Sequence, residues 1–209
     1  MTVVTLSASY GAGGSTLGPR LAERLAVPFL DRAIPVGVAE RLAVPLEQAE
    51  SRDQSVGSLF ERMVQRMAPM GQVFGVPETT YDVPADIQYL KATEEIIREH
   101  AAHGDGVLLG RAGALVLRDH PGALHVRLDG PREARIAQAV RLRGIERARA
   151  ERELDETDRA REAYVRTFYR VDARDPKLYQ LVIDTTAIAL DCALELIVAA
   201  ASARGAAAA

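Results

Sequence analysis

The stretch that most constrains this chain is its beginning, where Val3-Val4-Thr5-Leu6-Ser7-Ala8 runs into Ser9-Tyr10-Gly11-Ala12-Gly13-Gly14-Ser15-Thr16-Leu17. A short β-branched apolar run, three glycines within four positions and a Ser-Thr pair opening a helical pattern is how a strand, a phosphate-cradling loop and a helix N-terminus are written. The amides at such a helix start attract anions, so the expected ligand is a nucleotide phosphate. The usual loop of this kind carries a Lys just before the Ser/Thr, and here that place is held by Gly14. Lys91 and Lys177 are the only lysines, and neither lies near the loop in sequence. Arginine must therefore supply any side-chain charge for phosphate, through a planar fork that makes more directional contacts than an ammonium.

With 209 residues the chain is long enough for one α/β domain with a substantial core and a mobile insert. A net charge of −3 gives no bulk attraction for nucleic acid or an anionic membrane, leaving small anionic ligands held by local arginines. The N-terminus lacks a basic-then-apolar signal pattern, and no apolar run reaches the ~18 residues of a membrane span. Together with a single cysteine, Cys192, this points to the cytoplasm. Cys192 lies in a helical pattern and is expected to be a small core residue.

Along the chain, Leu17, Leu21 and Leu25 recur at helical spacing, predicting an amphipathic first helix that ends near Ala26. Pro28-Phe29-Leu30-Asp31 reads as a short strand, with Asp31 at its carboxyl end either contacting a ligand or capping the next helix. Residues 33–70 are helical, broken by prolines, and residues 71–84 read as a loop or flap. Asp86 to His103 is a helix with Ile87, Leu90, Ile96 and Ile97 on its apolar face. His100 and His103 at i, i+3 suit a metal clasp or, with no supporting carboxylate cluster, simply a helix end. Val107-Leu108-Leu109 is a buried strand delivering Gly110-Arg111, Leu124 to Asp129 is another strand, and Pro131 starts a helix. That helix carries Arg132, Arg135, Arg141 and Arg143. After Gly144 a second charged helix runs from Glu146 to about Arg170, where opposite charges at i, i+3 and i, i+4 stabilise an exposed pair. Leu181 to Thr186 is a final buried strand, Ile188 to about Ala201 a closing helix, and residues 202–209 a disordered Ala-rich tail. The element order indicates a parallel sheet wrapped by helices.

Several separated motifs resemble the cytidylate kinase-like family, a branch of the nucleoside monophosphate kinases. They are Tyr10-Gly11-Ala12-Gly13-Gly14, Pro28-Phe29-Leu30-Asp31-Arg32, Gly110-Arg111, Asp158-Arg159-Ala160-Arg161 with Tyr164, and Tyr179 to Thr185. The resemblance covers the chain from Val3 to about Ile197. It implies a three-layer α/β fold of the P-loop NTPase type, with a parallel sheet flanked by helices and a helical lid. One domain is then expected over 1–201, with a nucleotide-binding helical insert at about 32–84 and the lid at about 132–170. By resemblance, Arg111, Asp158 and Arg161 contact the acceptor nucleotide, Asp31 lies near its phosphate or sugar, and Arg141 or Arg143 is the lid arginine. Cytidylate kinases proper have the loop Lys that Gly14 replaces, and an Asp where this chain has Ala112.

The activity so implied is phosphoryl transfer from ATP to a pyrimidine nucleotide such as CMP or dCMP, a reaction that depends on positioning and charge neutralisation. Backbone amides of Gly11, Ala12, Gly13, Gly14 and Ser15, ahead of Thr16, would cradle the donor phosphates, and the Ser15 or Thr16 hydroxyl would hold Mg²⁺. Loss of the lysine contact costs on the order of 3 kcal/mol, about a hundredfold in rate, part of which Arg111 or a lid arginine recovers. A nucleotide-binding module that transfers nothing is the alternative. A dinucleotide site is a weaker one, since Gly11-x-Gly13 with Asp31 downstream has Thr16 where a third glycine belongs.

Overall fold

A computed structural model of the chain describes residues 3–30 and 85–207. The central strand β1 (Val3–Ala8) leads through the glycine loop into α1 (Gly14–Leu25). Then follow α2 (Ala85–His103), β2 (Gly106–Leu109), the short α3 (Gly113–Val116) and β3 (Ala123–Asp129). The helix pair α4 (Arg132–Arg143) and α5 (Arg147–Tyr169), the strand β4 (Leu181–Asp184) and α6 (Leu190–Ala207) complete the described chain. The sheet order is β2-β1-β3-β4 with every pairing parallel. Parallel neighbours require crossovers, and helices fill them. Asp31 and the expected insert at about 32–84 lie outside the described residues.

Alternation along β1 sends side chains to two cores. Val4 and Leu6 join Leu17 and Leu21 of α1, Leu124, Val126 and Leu128 of β3, and Ala193 and Ile197 of α6. Val3 packs on the opposite face with Ile96 and Ile97 of α2, Leu108 and Leu117. A third cluster, Ile136 and Ala139 with Ala150 and Leu154, zips α4 to α5 across the turn at Gly144, whose φ of 63° ends α4 in the left-handed region. Three layers result, with the α4–α5 pair set beside the carboxyl ends of the strands.

Several expectations are corrected. The stretch at Phe29 makes only an isolated bridge to Val107 rather than a strand. β4 is an edge strand with Val182 51% exposed, so it is not buried. Tyr89 joins Ile96 and Ile97 in the core, whereas Ile87 and Leu90 are half-buried. Cys192 is exposed, because the register of α6 turns Ala193, Leu194 and Ile197 inward instead. The final helix continues to Ala207, past the Ser202 at which a disordered tail was expected, and Arg204 donates from Nε to the Ala123 carbonyl at 3.0 Å. His100 and His103 each bond through Nδ1 to the carbonyl four residues back, as residues of a helix end do. Among the described residues no group of His, Cys, Asp and Glu suits a metal, and no helix is long and apolar enough to cross a membrane.

Candidate functional site

The loop between β1 and α1 turns on two left-handed glycines, Gly11 at φ 79° and Gly13 at φ 78°. A Cβ on Gly11 would also meet the Arg135 carbonyl oxygen at 2.3 Å, so the position is closed to larger residues twice over. Thr16 and Leu17 donate back to the Gly13 carbonyl, starting the helix without a side-chain cap. The amide of Ala12 is used internally, by Ser9 O at 3.1 Å, and that of Tyr10 by Asp158 Oδ1 at 2.8 Å. The amides of Gly11, Gly13, Gly14 and Ser15 have no acceptor among the described residues. They sit at a helix N-terminus, where orphan N–H groups and the helix dipole favour an anion. Ala12 differs from the others in that its amide is engaged and its carbonyl accepts from Thr185 Oγ1 at 2.7 Å.

The place of the absent lysine is filled, not vacant. A Cβ built on Gly14 falls 2.6 Å from Ala8 Cβ and 3.2 Å from Leu109 Cδ1, well inside ordinary contact. Ala8 is the last residue of β1 and is paired in register with Leu128. Strand and loop are thus fitted to a residue with no side chain at position 14.

Two buried arginines brace the loop from below. Arg135 donates from Nη1 to Tyr10 O at 2.8 Å and to Asp158 Oδ2 at 2.6 Å, and from Nε to Gly130 O at 2.9 Å. Arg127 donates to Ser9 Oγ at 2.9 Å, to Asp129 Oδ2 at 2.8 Å and to the Ala173 carbonyl at 3.1 Å. Burial alone would raise the Asp129 carboxyl, but Arg127 outweighs it and holds the pKa below its usual value. Asp158 therefore spans α5, α4 and the loop with both oxygens engaged.

The other arginines separate into different roles. Arg143 bonds Tyr10 Oη at 2.5 Å and Glu153, and its guanidinium lies over the Tyr10 ring at 5.6 Å. Hydrogen bonds from Arg149, Arg143 and Tyr10 depress Glu153 to about 2, and the bond to Glu153 raises Arg143. Arg141 points the other way, donating to Gln138 Oε1 at 3.1 Å. Arg111 follows β2 in an unusual turn, with Gly110, Arg111 and Ala112 at φ 75°, 52° and 52° in succession. Left-handed backbone at non-glycine residues costs roughly 1–2 kcal/mol each and accumulates at functional sites. Gly110 donates to Leu6 O at 2.8 Å, which puts this turn beside the end of β1. Arg161, from α5, donates from Nη1 to Ala8 O at 2.7 Å and has no ion pair with any described carboxylate. By surface area it is exposed, yet protein atoms surround the guanidinium on most sides; that desolvation draws its pKa down, with Asp158 opposing.

Arg111, Arg161 and the glycine loop therefore share one end of the sheet, as expected from sequence, whereas Arg141 and Arg143 diverge to opposite sides of α4. Arg127, Arg135 and Thr185 supply the bracing that sequence reasoning left unassigned. A signal for Arg127 existed: His125, Arg127 and Asp129 alternate with Leu124, Val126 and Leu128 on one strand, a polar ladder in a buried segment that must be satisfied internally.

Beside the loop opens a cleft of ≈ 480 Å³ walled by Thr16 and Arg20 of α1, Gln138 and Leu142 of α4, and the turn from Thr185 to Asp191. Its volume suits a small organic ligand. Thr16 belongs to both loop and cleft, so the two are continuous.

The chain resembles known proteins over most of its length. It is 25% identical over 193 residues to the cytidylate kinase of Methanopyrus kandleri, an alignment covering 88% of this chain and 84% of that one. A uronate isomerase of Corynebacterium glutamicum is 32% identical over 98 residues, 47% of this chain but 19% of that protein, so the match spans a fraction of it. Among solved structures, an uncharacterized protein from Eubacterium ventriosum superposes with a TM-score of 0.65 at 14% identity, covering 97% of this chain and 99% of that one. That likeness concerns the fold. The family model of the cytidylate kinase-like family matches residues 3–187. With that match, a parallel P-loop-type sheet and a glycine loop at its centre, the chain belongs to the cytidylate kinase-like family.

Proposed function

We propose that this protein is a nucleotide phosphotransferase that moves the terminal phosphoryl group of ATP to a pyrimidine nucleoside monophosphate such as CMP or dCMP, slowly because Gly14 replaces the loop lysine. The observation that carries this reading is the set of unengaged amides of Gly11, Gly13, Gly14 and Ser15 at the start of α1, with Arg111 and Arg161 at the same strand ends. Donor phosphates would lie on those amides and the donor base in the adjoining cleft. The acceptor phosphate would lie between Arg111 and Arg161, near Asp31. Transfer forms a bond from an acceptor phosphate oxygen to the γ-phosphorus and breaks its bond to the β–γ bridging oxygen, releasing ADP. Arg161, desolvated and without a carboxylate partner among the described residues, is the residue best fitted to answer the charge that the lysine would have met.

Ser15 is exposed and its hydroxyl is without a hydrogen-bond partner among the described residues, and Thr16 follows it on α1. The Ser15 or Thr16 hydroxyl, with phosphate oxygens and water, is a donor set that would fit Mg²⁺, which would supply charge neutralisation to the donor phosphates. The part of the chain around Asp31 to residue 84 is taken as the acceptor insert, and α4–α5 as the lid, within one domain over 1–201.

Turnover of CMP, dCMP, UMP and AMP with Mg-ATP in a coupled assay tests the proposal. The expected result is slow turnover of at least one pyrimidine acceptor, falling in Arg111→Ala; no acceptor turning over above that variant overturns it. The closed position at Gly14 favours a second reading, a module that binds nucleotide without transferring phosphate. Calorimetric ATP binding with no product formed selects it.

A further inference from the structure

We propose that Gln138 reads the base of the donor nucleotide, an inference that rests on the cleft beside the loop being the donor-base site. Gln138 is 3% exposed, on the face of α4 that lines the cleft. Its Oε1 accepts from Arg141 Nη2 at 3.1 Å, while its Nε2 has no hydrogen-bond partner among the described residues. The contact with a permanently charged guanidinium fixes the amide orientation, since the reversed amide would set two donors against each other. A buried amide N–H without an acceptor is costly in a folded protein and calls for explanation. Its neighbour one turn earlier, Arg135, is bonded to the phosphate loop, and Thr16 ties loop to cleft, so the same helix face runs from phosphates to base.

The chemistry left open at Gln138 is that of a donor seeking a lone pair. A ring nitrogen or carbonyl oxygen of a nucleobase offers one, and the side chains of Leu142, Ile188 and Leu190 around it offer apolar contact for a flat ring. Leu142 and Ile188 are 39% and 37% exposed, two of the few large apolar side chains the described surface leaves in water. Among the described residues the Gln138 amide is held by one hydrogen bond, to Arg141, which is itself exposed, so the terminal torsions can swing Nε2 toward an entering base at the loss of one exposed contact.

The experiment is calorimetric titration of the full chain with Mg-ATP and, separately, with inorganic tripolyphosphate in Mg²⁺, for the wild type, Gln138→Leu and Gln138→Glu. Both substitutions remove the donor at near-constant volume, and Glu stands in should Leu compromise folding. Expected is an about tenfold weaker Kd for ATP in both, the scale of one neutral hydrogen bond, with tripolyphosphate binding unchanged and the melting temperature of Gln138→Leu equal or raised. Unchanged ATP affinity, or equal weakening for both ligands, overturns the role of Gln138. Wild-type binding of ATP no tighter than tripolyphosphate shows that the cleft takes no base. Binding of neither ligand by the wild type overturns the nucleotide reading itself.

Discussion

Restoring the loop lysine is the perturbation on which the geometry speaks most directly. A side chain at position 14 starts from a Cβ 2.6 Å from Ala8 Cβ and 3.2 Å from Leu109 Cδ1. Saturated carbons rest at about 3.5–4.0 Å, so Gly14→Lys demands that loop and strand part by roughly 1 Å. Ala8 cannot yield as a flexible side chain does, because its Cβ is fixed to a backbone paired with Leu128 in the sheet. Overpacking of this kind costs about 1–3 kcal/mol, or a melting temperature lower by about 2–12 °C at this chain length. Ala8→Gly removes the obstructing methyl at about 0.5–1 kcal/mol of its own. The double variant Ala8→Gly/Gly14→Lys is therefore expected to be more stable than the sum of the two single changes, by about 1 kcal/mol or more of coupling. It is also the variant in which the ammonium can reach the phosphates, with a gain of up to about a hundredfold in turnover. Thermal melts of the four proteins in a double-mutant cycle, with coupled-assay rates alongside, measure both. A Gly14→Lys protein that melts like the wild type and equals the double variant in rate would refute the steric reasoning.

Three further expectations follow from named contacts. Asp158→Asn removes the nearer of the two carboxylates paired with buried Arg135, leaving Asp129 at 3.6 Å, and should lower the melting temperature of the ligand-free protein by about 3–12 °C, from a loss of about 1.5–3 kcal/mol for a charged hydrogen bond; a residue serving only to touch substrate would leave that temperature unmoved. His125 Nδ1 lies 2.8 Å from Thr5 Oγ1, and burial, aided by Arg204, lowers its pKa from 6.5 to about 4, with the Leu117 backbone opposing. The unfolded chain takes up that proton first, so this contribution is complete above about pH 6.5 and drains away as pH falls toward 4, in total about 3 kcal/mol. A His125→Asn variant whose stability falls as steeply as the wild type across that range would contradict it. Ala112→Gly relieves a left-handed alanine at φ 52° and should raise the melting temperature by about 2–4 °C, whereas a decrease would show that the turn after β2 is not strained.

The β1–loop–α1 unit was legible because its signals are local: β-branched residues make the strand, glycines the turn, and Leu17 and Leu21 the buried helix face. Gly144 between α4 and α5, and Arg111 at the end of β2, were legible for the same reason. What escaped depends on partners distant in sequence. The apolar run at Phe29 has the composition of a strand, but it forms one bridge to Val107, and a lone run cannot announce how long its pairing will be. Cys192 looked like core because a helix of small and apolar residues hides which face is inward, and the packing of Ile197 and Ala193 decided it. Arg135 looks in sequence like the exposed arginines of the same helix, and its burial and its contacts with Tyr10 O and Asp158, residues distant along the chain, distinguish it. The closure at Gly14 is a contact between Ala8 and the residue six positions on, invisible until the loop has folded back upon its strand.

The bracing of the glycine loop has a thermodynamic consequence. Arg135 and Asp158 hold Tyr10, Arg127 holds Ser9, and Thr185 holds the Ala12 carbonyl, so helix pair, sheet and the β4–α6 turn each fasten a different point. A phosphate arriving there meets amides whose directions are already set. Conformational entropy that a slack loop would surrender on binding was surrendered when the chain folded. Association at the loop should accordingly proceed without an ordering phase, and a change at Thr185 or Arg135 should surface in affinity even though neither side chain touches the ligand.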